Sequence, residues 1–246
     1  VVLERCEIAE VGTISHKGTL ALLPPGKNGK QKMVVGDDTG AVHVLEMKKG
    51  EPTTVFKFTE LEDAGAIMAV ALGGTSAKRD KIFATQGSQA VGITKKGKEF
   101  FKLTSTLSEP IRFMRVHEAK IWTGCDFLYN QYDDGADAGF YMCRERITSL
   151  EVAAVSGDPP SALNAVLGCH DGCVRVIEGA ELIAEVTVDG AVGAMTPCGG
   201  PGTGMERGII YGTERGTVGH LACCSKGQGW LRKTWSIPSS KVRSPP

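Results

Sequence analysis

A chain of 246 residues and 26.1 kDa has room for one large all-β domain or two small domains. At this size folding buries roughly 75% of the unfolded surface, so no disulfide or metal staple is required. Apolar residues at 41% exclude a disordered chain, and 28 Lys and Arg against 28 Asp and Glu exclude nucleic-acid binding through bulk positive charge.

Thirty-two glycines and few aromatics ask for many tight turns, hence many short strands. The N-terminus Val1-Val2-Leu3-Glu4-Arg5-Cys6-Glu7 carries charge where a signal peptide needs its apolar stretch. The longest apolar run, Ile67 to Leu72, has the length of one buried strand and falls far short of the ~18–20 residues of a membrane span. Eight scattered cysteines in a chain that needs no staple read as reduced thiols in the cytosol.

Along the chain, Cys6 to Val11 is expected as an outer strand that closes a ring onto the last unit. Lys32 to Val35 is a strand, Asp37-Asp38-Thr39-Gly40 its hairpin turn, and Ala41 to Glu46 the partner strand. The turn Lys48-Lys49-Gly50 then leads to a strand over Thr54 to Phe58. Lys81 to Gly87, Val91 to Thr94, the turn Lys95-Lys96-Gly97-Lys98 and Phe100 to Leu103 repeat the arrangement.

One phrase recurs: an apolar pair or triplet, Gly, three variable residues, Gly, then an apolar strand. It runs from Met33 through Gly36 and Gly40 to Val42, from Ala165 through Gly168 and Gly172 to Val174, and from Ile209 through Gly212 and Gly216 to Val218. A degenerate copy, Lys120 to Gly124, lacks the second glycine. The first glycines at 36, 124, 168 and 212 step by 88, 44 and 44, and Lys81 to Gly87 stands slightly displaced near the missing copy. A 44-residue period is one four-stranded propeller blade. Gly219 to Ala222 and Thr234 to Ile237 complete a fifth unit. The reading is an all-β propeller over residues 1–238 with about five blades, followed by a polar tail or the start of a next blade over 239–246. No stretch shows a sustained helical period.

The strings Lys32 to Asp37, Met47 to Glu51, Val55 to Lys57, Ile93 to Phe100 and Phe127 to Tyr132 occur in an order that resembles the propeller of the Bardet–Biedl syndrome 7 family. The resemblance runs from about Leu3 to about Ile237. It implies a seven-bladed ring followed by a coiled coil, a β-rich appendage and a helical C-terminal region. It also implies a subunit of the BBSome, the coat-like adaptor that carries membrane proteins into and out of cilia. Implied partners are the other BBSome subunits, propeller-bearing ones included, the intraflagellar transport machinery, and a small GTPase at the level of the complex. Membrane association would be indirect or peripheral, in cytoplasm, cilium and basal body, with no nucleic acid. The chain departs from the family in stopping after about five blades, which would leave the ring open.

Several motifs invite a chemical reading. Cys169-His170-Asp171-Gly172-Cys173 looks like a metal or redox site, yet it aligns with plain hairpin positions and no second Cys/His pair lies nearby in sequence. Cys223-Cys224 point to opposite faces of a strand. Gly199-Gly200-Pro201-Gly202-Thr203-Gly204 is followed by Met205-Glu206 rather than Lys-Ser/Thr and a helix, so it reads as a loop between strands. Asp133-Asp134-Gly135-Ala136-Asp137 lacks the alternating order that wraps calcium and reads as a solvated loop. The basic turns at Lys48-Lys49 and Lys95 to Lys98 fit solubility and edge protection, or acidic partners and lipid head groups.

Histidines 16, 43, 117, 170 and 220 fall in different units, and no G-x-S-x-G occurs. The expectation is therefore no catalytic, cofactor or metal residue, with binding residues unassigned. Two rivals stay open: a propeller lyase or glycosidase with carboxylates in its channel, and a propeller of another vesicle coat or transport complex. The absence of Trp-Asp disfavours the second.

Overall fold

The computed structural model describes residues 13, 16, 18–26, 29–48, 51–61, 65–75, 78–105, 107–156, 163–200 and 206–239. The expected strand over Cys6 to Val11, the residues Lys49 and Gly50, residues 201–204 of the glycine loop, and the tail beyond Ser239 lie outside the described residues.

Among the described residues, twenty strands form five four-stranded sheets, each a meander in chain order. The first contains β1 (Leu20–Leu22), β2 (Lys32–Gly36), β3 (Val42–Lys48) and β4 (Glu51–Phe58). The second contains β5 (Ile67–Thr75), β6 (Lys78–Gln86), β7 (Gln89–Ile93) and β8 (Glu99–Thr104). The third contains β9 (Phe113–His117), β10 (Lys120–Gly124), β11 (Leu128–Asp133) and β12 (Ala136–Met142). The fourth contains β13 (Ile147–Ala153), β14 (Asn164–Cys169), β15 (Cys173–Glu178) and β16 (Glu181–Thr187). The fifth contains β17 (Val192–Cys198), β18 (Gly208–Thr213), β19 (Val218–Cys223) and β20 (Leu231–Ile237). These are the blades of a β-propeller, as the period requires.

Burial follows strand order. The second strands are closely packed, and the fourth strands are mostly exposed. Middle strands covered on both faces need no polar alternation, which is why β14 is apolar almost throughout and buried at all six residues.

The repeated glycines share one register. Gly36 pairs with Val42, Gly168 with Val174, and Gly212 with Val218, each at the second-to-third-strand hairpin of its sheet. These three hairpins have three-residue loops closed by a glycine at positive φ, namely Gly40, Gly172 and Gly216. In the second and third sheets the loop is only two residues long, Gly87-Ser88 and Asp126-Phe127. A two-residue loop has no place for the second glycine, so the phrase degenerates there. Asp134-Gly135, read as part of a loop, is instead a tight turn with φ of 48° and 80° joining β11 to β12. Asp-Gly tolerates the two left-handed residues such a turn needs.

The chain divides into two compact units, residues 1–121 and 122–246. In the first, a core of mainly Val and Ile joins the first two sheets, with Val34, Val44, Ile67, Ile82 and Val91 buried. A Cβ on Gly36 would overlap Ile67, so this glycine admits the opening residue of the next sheet. The second unit repeats the device: Gly168 faces Val192, the opening residue of β17. There Thr148 Oγ1 and Ser149 Oγ donate to the Val192 carbonyl at 2.7 and 3.1 Å. At Gly212 no described atom lies within 4 Å of the equivalent position.

Candidate functional site

The Cys169–Cys173 motif is built by a hairpin, and its polar groups are largely engaged there. Cys169 ends β14 and Cys173 opens β15, with the turn His170-Asp171-Gly172 between them. Asp171 faces inward across that turn. Its Oδ1 accepts from Cys173 N at 3.0 Å, and Arg175 Nη2 reaches its Oδ2 at 2.6 Å. Arg175 Nε donates to Glu185 Oε2 at 2.7 Å, so one guanidinium, only 4% exposed, is clamped between two carboxylates. Burial opposes ionisation of Asp171, but the Arg175 hydrogen bond, the Cys173 amide and the guanidinium charge outweigh it and hold the carboxyl below its ordinary range.

Cys143 and Cys169, both buried, hydrogen-bond to each other. That bond and the adjacent Arg175 lower the Cys169 thiol despite its burial, and the same bond together with burial raises Cys143. Among the described residues no group of three His, Cys, Asp or Glu side chains is placed to hold a metal ion. Cys223 ends β19, and the Cys224 thiol contacts the Ala222 carbonyl at 3.6 Å.

His43, His117 and His220 lie in strands of three different sheets, and His170 lies in the turn between β14 and β15. His43 Nε2 lies 2.8 Å from Asp37 Oδ2, while Asp37 Oδ1 accepts from the backbone of Thr39 and Ala41. Burial pushes the Asp37 carboxyl up, and the bonds from His43, Ala41 and Thr39 pull it further down, so it lies below its usual value. His220 is buried, with Nδ1 at 2.7 Å from Thr234 Oγ1 and its ring stacked on Trp235. His117 and His170 are exposed.

Among the described residues, two of the larger clefts offer surfaces for recognition. In the second unit, His170, Asp171, Asp189, Glu214 and Arg215 line a hollow of about 390 Å³ between turns of the fourth and fifth sheets. Its members are partly engaged already, since Asp171 pairs with Arg175 and Asp189 accepts from the Thr217 hydroxyl. In the first unit, a larger cleft of about 620 Å³ is walled by Leu23, Pro24 and Pro25 and carries Lys30, Lys32, Lys78 and Lys95 with Glu46 and Asp80. The basic turn at Lys95 reaches this cleft, and Lys48 flanks it through an ion pair to Glu46 at 3.8 Å.

Sequence reading missed the paired turns Asp37–His43 and Asp171–Arg175. The signal was present, because His43 and Arg175 stand at the same register, opposite Val35 and Leu167 respectively. It also missed Lys30, Lys32 and Lys78, which only folding brings to one hollow.

With five four-stranded meanders and glycines that admit the opening residue of the next sheet, the class is a β-propeller. Solved propellers agree on the fold. Similar structures are Saccharomyces cerevisiae Sqt1 (TM-score 0.68, 11% identity, 92% of this chain and 61% of that one) and the WD40 propeller of Doa1 (0.63, 10%, 90% and 69%). BBS1N, solved in complex with ARL6DN, is similar at TM-score 0.64 and 10% identity, over 82% of this chain and 64% of that one. The family follows from sequence: a model of the BBS7 beta-propeller matches residues 20–245, and the chain belongs to that family. It is 32% identical to the Mus musculus BBSome complex member BBS7 over 99% of its length, and 27% identical to Caenorhabditis elegans bbs-7 over 96%. The chain spans about a third of the length of these two relatives.

Proposed function

We propose that this propeller is a non-catalytic scaffold of the BBSome, presenting blade edges and loops to protein partners. The observation that carries the reading is family membership across residues 20–245, and the charged turn residues, spent on internal pairs, support it. In this reading the protein works with the other BBSome subunits and the intraflagellar transport machinery to move membrane proteins to and from cilia. It acts in the cytoplasm, basal body and cilium, peripheral to the membrane, with a small GTPase engaged by the complex. Residues 1–238 form the blades, and further sheets of a longer chain complete a seven-bladed ring by covering the fifth sheet beside Gly212.

Affinity purification of the intact tagged protein from ciliated cells tests the scaffold reading. BBSome subunits in near-equal amounts are the expected result. Their absence, or recovery of a different coat complex, refutes it.

A further inference from the structure

Residues 1–121 carry 18 Lys and Arg against 14 Asp and Glu, an excess of four positive charges in a chain that is neutral overall. The cleft in this unit gathers part of that excess. Lys30 comes from the β1–β2 connection, Lys32 from β2, Lys78 from β6, and Lys95 from the turn after β7.

The two carboxylates in the cleft do not neutralise this set. Asp80 Oδ2 is taken by Lys95 at 3.0 Å, and Glu46 Oε2 faces Lys48 at 3.8 Å. Lys32 stands directly opposite Glu46 across the β2–β3 pair, yet it forms no ion pair among the described residues. Lys30 and Lys78 likewise have no ion-pair partner among them. Lys32 is half-buried, and with Lys30 and Lys78 it leaves the cleft a net positive charge that an incoming anion offsets.

The wall of the cleft selects the form of that anion. Leu23 is buried, and Pro24-Pro25 give a rigid apolar side that loses little entropy on binding. A bare phosphate would leave this wall unused. A flat lipid surface meets protruding side chains rather than a hollow of about 620 Å³. Hollows of this volume suit a small ligand or a few residues of extended peptide.

We propose that the cleft bordered by Lys30, Lys32 and Lys78 is a docking site for a short acidic peptide segment of a partner protein, its carboxylates on the lysines and an apolar side chain on the Leu23-Pro24-Pro25 wall. The site stands apart from the ciliary reading, because peptide binding is measured on the isolated protein while that reading is tested by co-purification.

The test uses the intact protein and a fluorescein-labelled peptide alternating glutamate and leucine, read by anisotropy. Its glutamine counterpart and vesicles containing phosphatidylserine serve as comparators. Saturable binding is expected for the glutamate peptide alone, weakening as salt rises because the pairs are screened. Lys32→Glu with Lys78→Glu weakens it at least about tenfold, roughly 1.4 kcal/mol. The gentler Lys32→Gln with Lys78→Gln gives a smaller loss with an unchanged melting temperature. Lys226→Glu with Lys233→Glu, in the other unit, has no effect. No saturable binding, equal binding by the variants, or binding of vesicles in place of the peptide overturns the proposal.

Discussion

Of the 17 lysines, 14 fall in residues 1–121, whereas 7 of the 11 arginines fall in residues 122–246. The two units also settle one shared position differently. His43 in β3 and Arg175 in β15 stand at the same register, and each turns back on an aspartate of its hairpin. In the first unit the pair is a compact Asp37–His43 contact, and the lysines stay on the surface. In the second the guanidinium is buried and forked between Asp171 and Glu185. Arginine suits that role because its planar fork satisfies two carboxylates at once, while lysine keeps a buried stem and a hydrated head. One repeat thus yields a surface for binding in one unit and an internal clamp in the other.

Removing the clamp is the most damaging way to break this comparison. Arg175→Ala leaves Asp171 and Cys169 without their shared donor, and because the Asp171 and Glu185 side chains keep 26% and 43% of their exposure the loss is about 2–3 kcal/mol. Arg175→Lys recovers only part, since an ammonium cannot fork. Chemical denaturation of the three proteins checks both statements, and a Lys variant as stable as the parent would show that charge alone suffices.

The inter-sheet glycines come next. Gly36→Ala and Gly168→Ala press a methyl group into Ile67 and into Ser149 and Val192, at a cost of about 1–3 kcal/mol each. Gly212→Ala meets no described atom within 4 Å and changes stability by less than about 0.5 kcal/mol in the 246-residue chain. In a chain carrying a further sheet, the same substitution should become as harmful as Gly168→Ala. Equal tolerance at 212 in both chains would remove the case for a sheet packed there.

These glycines also mark how far the sequence is legible. Turn chemistry repeats because the three-residue loop demands a left-handed residue, and so the 36, 168 and 212 copies were visible. The second-sheet copy was blurred because its loop loses a residue, and Ala84-Thr85-Gln86 run into Gly87-Ser88 without the second glycine. Strand limits were less visible: β4 begins at Glu51 rather than Thr54, since an outer strand packs on one side only and carries little apolar signal. The lysine cleft was illegible for a different reason. Lys30, Lys32, Lys78 and Lys95 lie up to 65 positions apart, and nothing local distinguishes them from solvated charge.

A smaller effect, and one with a pH signature, is expected from Asp37→Asn. The aspartate side chain is 4% exposed and closes the first hairpin through Thr39, Ala41 and His43. Losing its charge costs about 1–2 kcal/mol at neutral pH. Because the folded carboxyl lies below its unfolded value, its contribution is present above about pH 4 and fades as pH falls through the lower folded value. The stability curves of the parent and Asp37→Asn should therefore converge on acidification. Parallel curves would mean that the carboxylate form is not what the hairpin holds.

The smallest effect concerns Lys95 and Asp80, and it sharpens the contrast with Arg175. Their 3.0 Å separation is close to the 2.6 and 2.7 Å of the arginine clamp, so distance alone would rank the pairs together. Exposure separates them. The Lys95 and Asp80 side chains are 59% and 37% accessible, against 5% for Arg175, so water and salt screen the first pair and the lysine pays entropy to stay in place. A double-mutant cycle with Lys95→Ala and Asp80→Ala should give a coupling below about 0.5 kcal/mol that vanishes in high salt. A coupling above about 1 kcal/mol would make Lys95 a fixed structural element. The cleft would then hold only three cations free to meet an acidic peptide, and replacing Lys95 should leave peptide binding unchanged. A weak coupling predicts the opposite: Lys95 releases Asp80 to the solvent, turns to the incoming carboxylate, and Lys95→Ala lowers the salt sensitivity of binding.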